Sequence, residues 1–230
     1  MFVNAHSKVH PATSLAFAAA RAFGLVVASE GGRPIASHLP FRLIEQDGRV
    51  PKLEFHVARA NPLGEIAEKG GTWLVAVQGY DAYVSADWYA SADQVPTWLY
   101  EAVHLSGPVR VVGSEHTGGH LERLSATFEQ WLAPKPAWQP DKLSDKRREM
   151  LLKAIVAIEM TIEGHFKLNQ HKSDADHVAV AMALSAQDDV AARAIARRMV
   201  AMRPHLKPAP AASAAKVGQL PHDLIAAAAK

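Results

Sequence analysis

Apolar and polar positions alternate with a period of two in a series of short runs, each bounded by residues that favour turns. "LVVAS" leads into "EGGRP", "IASHLPFRLIE" into "QDGR", and "LEFHVA" into Asn61-Pro62. The Asp47-Gly48 step between two alternating runs predicts a hairpin. Pro40 falls inside the second run. Proline has no N–H to give to a ladder, so that strand is expected to carry a bulge or to lie at an edge. "TWLVAVQG", "DAYVSA" and "TWLYEAVHLSGPVRVVG" predict three more strands, and "AIEMTIEG" a final one. The helical period appears elsewhere. "PATSLAFAAARAFG" predicts an Ala-rich helix stopped by Gly24, and residues 61–69 a short one ended by Gly70-Gly71. Leu121, Leu124 and Phe128 share one face of a helix over 117–131. Ser144 caps "DKRREMLLKAIV", and two helices follow at about 174–184 and 188–203.

Most strands are neighbours along the chain and do not alternate with helices. That order predicts an α+β fold, an antiparallel sheet or barrel with peripheral helices, and argues against a doubly wound parallel sheet. The pattern places one domain over residues 1–203. The Pro- and Ala-rich stretch 204–230 is expected to be a mobile tail.

Composition changes this picture in three places. No cysteine is present, which excludes disulfides, thiolate nucleophiles and cysteine-ligated zinc and suits a reducing compartment. From Asp188 onward there are seven Lys/Arg and three Asp/Glu; the preceding 187 residues carry 18 and 20, so a slightly acidic body precedes a basic end. "MFVNAHSKVHP" has no basic segment leading into an apolar run, and no stretch of about 18 apolar residues exists, so a cytoplasmic location is expected with no membrane partner.

The common nucleotide loops, the G-x-S-x-G elbow and H-E-x-x-H are absent. His116 and His120 are four apart, but Gly118 and Gly119 lie between them and no third ligand is near; two solvated histidines are expected, with no metal. Asn61-Pro62 fits a helix N-cap followed by proline. Arg59, at the strand end beside it, either completes an anion site or is a surface arginine paired with a carboxylate such as Glu65. Residues 80–100 hold all four tyrosines together with Trp88 and Trp98. Such density marks a packed core, a subunit contact or a wall for a planar ligand. In "HFKLNQHKSDAD", Lys167 and Lys172 could serve an anion, and Asn169 and Gln170 a ring edge, unless the segment is a solvated loop.

The blocks "SHLPFRL", "LEFHVARANP", "VAVQGYDAYVSADWY", "VPTWLYEAVHLSG", "LKAIVAIEMTIE" and "KLNQHKSDAD", in this order, resemble the PaiB family of FMN-binding negative transcriptional regulators over residues 1–203. The resemblance implies a split β-barrel like that of the pyridoxamine-phosphate oxidases, forming a homodimer with FMN at the subunit seam. It further implies that the strand "FHVARAN", with His56, Val57, Arg59 and Asn61, meets the flavin phosphate. His38 and Leu39 would face the isoalloxazine and Gln78 the flavin or its ribityl chain. Trp98, Tyr100 and His104 would lie at the seam, and Lys167, Asn169 and Gln170 would belong to the late cofactor motif. That motif departs from the family's Lys-Leu-Ser-Gln-Asn-Arg at Asn169 and His171, and haem is the alternative ligand.

Three functions stay open. A regulator would need a DNA-reading element, and the candidate is the second C-terminal helix, with Arg193, Arg197, Arg198 and Arg203 outward and Ala191, Ile195, Met199 and Met202 buried. A flavin-dependent oxidoreductase would draw on FMN for its chemistry, with His56, His104 and Lys167 as candidate acid–base groups. The third is a flavin- or haem-binding protein without turnover.

Overall fold

The computed structural model describes residues 11–45, 49–167 and 173–206. They fall into two compact units, one within Met1–Tyr83 and Trp98–His171, the other within Val84–Thr97 and Lys172–Lys230. The Asp47-Gly48 turn, Asn169, Gln170, Lys172 and the expected tail beyond Leu206 lie outside the described residues.

The first unit is built on seven strands: β1 (Phe23–Glu30), β2 (Arg33–Ile44), β3 (Lys52–Ala58), β4 (Thr72–Val84), β5 (Thr97–Val111), β6 (Ile155–Thr161) and β7 (Gly164–Lys167). They are hydrogen-bonded in the order β4-β1-β2-β3-β6-β5-β7, and β4 also pairs with β5. Six strands therefore close on themselves, and the fold is an antiparallel split barrel. Its interior is filled by alternate residues of each strand, among them Phe41, Leu53, Phe55, Val75, Val77, Val103, Leu105, Ile158 and Met160, all fully buried.

The helices of this unit are α1 (Pro11–Arg21), α2 (Pro62–Glu68), α3 (Ser114–Gln130) and α4 (Asp145–Lys153). Leu15 and Ala18 of α1 and Leu63 and Ile66 of α2 join the barrel core. Ser144 caps α4 as expected, its hydroxyl accepting from the Arg147 N–H.

Four expectations are corrected. Pro40 does not put β2 at an edge of the sheet. It is the last β2 residue paired with β1 (to Phe23), and from Phe41 onward β2 pairs with β3 (Phe41 to Phe55). The missing N–H thus falls where the strand changes partners. The first helix is not stopped by Gly24: Ala22 takes the left-handed conformation at φ 45°. Gly24 lies in β1, where a Cβ would come within 2.8 Å of the Ala76 carbonyl oxygen. "TWLVAVQG" and "DAYVSA" form one strand, β4, since Gly79 does not interrupt the ladder. β6 is not the last strand; β7 follows and pairs with β5, Val103 opposite Lys167.

The second unit holds a 3₁₀ turn at Ala86–Trp88 and two helices, α5 (Asp174–Ser185) and α6 (Val190–Met202). The buried Asp176 at the start of α5 accepts from the Ser91 N–H and hydroxyl and from the Ser173 hydroxyl. Those bonds, led by Ser173, hold its carboxyl below the usual range. The buried face of α6 is Ala192, Ile195, Ala196 and Met199; Ala191 is half-buried and Met202 exposed, against expectation.

Candidate functional site

The end of β3, the start of α2 and the middle of β2 form one corner. Asn61 has extended backbone (φ −78°, ψ 128°), and its side-chain oxygen accepts from the Leu63 N–H at 3.0 Å, so it is the N-cap of α2. Its amide nitrogen donates to Ser37 Oγ at 3.0 Å, tying α2 to β2. His38 and Leu39 follow on β2. His38 is exposed and stacks on the Phe23 ring at 6.1 Å, and Leu39 is half-buried. Arg59, in the turn after β3, is exposed, and among the described residues it forms no ion pair with Glu65. The Arg59 Nε donates to the Lys153 carbonyl at the end of α4 at 2.8 Å and its Nη2 to the Ile155 carbonyl at the start of β6 at 2.9 Å. The Val57 side chain lies in the barrel core. Ser37, His38, Asn61 and Arg59 thus gather polar groups where the middle of β2 meets the end of β3, a set whose chemistry fits a phosphate-bearing planar ligand.

A second group lies on β4 and β5. Tyr80, Tyr83, Trp98 and Tyr100 are all exposed, and Tyr83 and Trp98 meet edge to face at 6.0 Å. The amide of Gln78 is exposed and donates to Asp81 at 3.2 Å. His104 is half-buried, its Nδ1 has no hydrogen-bond partner among the described residues, and burial holds the ring below its ordinary pKa. Tyr89, in the second unit, is buried, so the tyrosine-rich segment is not one surface. Lys167 ends β7.

The expectation of two solvated histidines fails at His120. His116 is exposed, but His120, on the buried face of α3, is 1% exposed, with Nε2 3.2 Å from Nδ1 of the half-buried His56. Sequence reasoning missed this because the two residues are 64 apart. The outward position of His56 on β3 was legible from the alternation; the cover supplied by α3 was not. Nearby, Glu54 Oε2 is 3.9 Å from His120 Nδ1. Burial alone would raise the Glu54 carboxyl, but hydrogen bonds from Arg42 and Arg123 hold it below the usual range. Burial, then His56, pushes His120 down to about 4. His56 is also pushed down by burial. Both rings are therefore neutral near pH 7, and one can donate to the other. No group of three or more metal-ligating side chains occurs among the described residues.

In the second unit, among the arginines proposed to read DNA, Arg193 bonds the Gln187 carbonyl and Asp188, and Arg203 bonds Asp174. Both anchor α6 by charge pairing, which a recognition helix leaves for bases and phosphates. No described helix is long and apolar enough to cross a membrane.

Two solved structures share this arrangement of strands. The FAD and heme binding protein of Mycobacterium smegmatis aligns with a TM-score of 0.50 at 16% identity, over 96% of this chain and 95% of that one. The flavocytochrome Anf3 of Azotobacter vinelandii aligns with a TM-score of 0.52 at 15% identity, over 97% and 94%. At such identity they establish the fold, the split barrel on which flavin-binding proteins are built. Sequence is more specific: residues 1–164 match the family described as "Putative FMN-binding domain". The protease synthase and sporulation protein PAI 2 of Bacillus subtilis (strain 168) is 32% identical over 203 residues, 86% of this chain and 96% of that protein. The chain belongs to this FMN-binding family, the PaiB family, and FMN is the cofactor that membership assigns to it.

Proposed function

We propose that the chain acts as a cytoplasmic homodimer that holds FMN at the corner formed by β2, the end of β3 and α2, and that it serves as a flavin-responsive regulator of the PaiB type. The observation that carries the site is the Ser37–Asn61 bond at 3.0 Å, which locks the segment of the exposed His38 and half-buried Leu39 to the residue that caps α2. A phosphate there takes charge-assisted bonds from Arg59 and the Asn61 amide. His38 and Leu39 border the ring system, and Gln78 reaches the ribityl chain. When bound, FMN supplies hydride and electron chemistry. The protein's part is to bind, orient and shield it, with the Lys167–Gln170 segment completing the cofactor motif.

The dimer reading rests on Tyr80, Tyr83, Trp98 and Tyr100. Four exposed rings on two paired strands are more apolar surface than a monomer ordinarily leaves in water. DNA as a direct partner has less support, given the charge pairs on α6.

Titration with FMN and with riboflavin tests the site. Arg59→Ala should weaken FMN by about 1.5–3 kcal/mol, the worth of a hydrogen bond to a charged group, and leave riboflavin unchanged. An equal loss for both flavins would remove Arg59 from the phosphate. A dye-coupled NAD(P)H assay on the yellow protein separates an oxidoreductase from a regulator, and salt-dependent duplex binding tests the DNA arm.

A further inference from the structure

A cleft of about 380 Å³ opens on the outer face of the barrel, where the end of β2 and the start of β3 lie beside α3. Six of its lining residues carry charge: Arg42, Arg49, Lys52 and Arg123 are cationic, Glu54 and Glu159 anionic. Both carboxylates are doubly engaged. Glu54 accepts from Arg42 at 2.9 Å and Arg123 at 3.1 Å. Glu159 accepts from Lys52 at 2.8 Å and from Arg110, beside the cleft, at 2.9 Å. Among the described residues, four cations (Arg42, Arg123, Lys52 and Arg110) therefore hold two carboxylates, and these six groups carry positive charge in excess. The buried Nε of Arg42 has no hydrogen-bond partner among the described residues.

Two carboxylates that each hold two cations make a rigid frame, which lowers the entropy lost when those cations close on a ligand. Guanidinium forks match phosphate oxygens in geometry, and several of them in a half-enclosed hollow suit more than one phosphate. We propose that this cleft binds the di- or triphosphate group of a small molecule. It lies at the end of β3 opposite Arg59 and Asn61, so it is separate from the flavin corner and does not depend on flavin being bound.

Isothermal titration of the full chain with inorganic pyrophosphate at low salt tests it, before and after addition of FMN. Saturable binding is expected in both cases, weakening as salt is raised. Lys52→Gln and Arg123→Gln should each raise Kd about tenfold, the effect of losing one charge-assisted bond. Each substitution leaves its carboxylate one cation, so folding, checked by circular dichroism, should survive; Arg49→Gln serves as a third variant. Lys146→Gln, the same loss of charge at an exposed position on α4, should leave Kd unchanged. The proposal is overturned by absence of saturable binding or by an equal effect of Lys146→Gln. It is also overturned if FMN or Arg59→Ala abolishes pyrophosphate binding while the cleft variants do not, since pyrophosphate would then occupy the flavin corner.

Discussion

Replacing His120 with glutamine should flatten the acid side of the stability profile. The ring is 1% exposed, and burial together with His56 sets its pKa at about 4, against 6.5 for the free side chain. Between those values the unfolded chain binds a proton here and the native chain does not. Stability contributed by this site is therefore complete above pH 6.5 and is lost as pH falls toward 4. At 1.36 kcal/mol per pKa unit, the full loss is about 3 kcal/mol. His120→Gln forfeits the 3.2 Å contact with His56 and leaves that ring without its partner. That costs about 1–2 kcal/mol at pH 7.5. The variant then starts lower but declines less, and the two curves should cross near pH ~5.5. His104 and His177, both held below their ordinary values by burial, titrate in both proteins and cancel in the difference, whereas His56, which touches His120, is part of the effect. Glu54 has a lowered pKa, so its contribution is lost only below the ordinary range of a glutamate and does not overlap the crossing. Urea unfolding at pH 7.5, 6.5, 5.5 and 5 reads the effect. Parallel curves would refute the assignment of a buried, neutral His120.

Asn61→Ala should cost about 1–2 kcal/mol of ligand-free stability, because it removes both a cap and the bond to Ser37; Asn61→Ser, which keeps the cap, should lose less in the same melts. Arg59→Ala, which releases the Lys153 carbonyl at the end of α4 and the Ile155 carbonyl at the start of β6, should cost about 1 kcal/mol without ligand, a larger effect than an arginine free in solvent would give. Gly107→Ala should destabilise by about 3 kcal/mol or more, since its Cβ would lie 1.7 Å from the Thr161 carbonyl oxygen; a loss under about 1 kcal/mol in urea titration would mean β5 and β6 can separate there. Trp98→Glu should turn a dimer into a monomer in sedimentation at micromolar concentration, and an unaffected dimer would move the seam away from the Tyr83–Trp98 pair.

Local chemistry carried much of this protein in one dimension. Alternation marked β1 through β6 because a strand with one face in a core must repeat every two residues, and Asn61-Pro62 marked the start of α2 because cap and proline act within one turn. The six ordered blocks carried the family, and the strands close into its barrel. What the chain alone could not show were the relations between distant segments. Pro40 reads as an edge until β2 is seen to change partners there. β7 is four residues long and gains its pairing only from β5. His56 and His120 reveal nothing of each other across 64 residues, and Glu54 looks like an ordinary outward glutamate until α3 and β2 bring Arg123 and Arg42 to it. Burial and charge pairing are properties of surfaces brought together by the whole chain, so the histidine pair and the basic cleft were decided by tertiary structure alone.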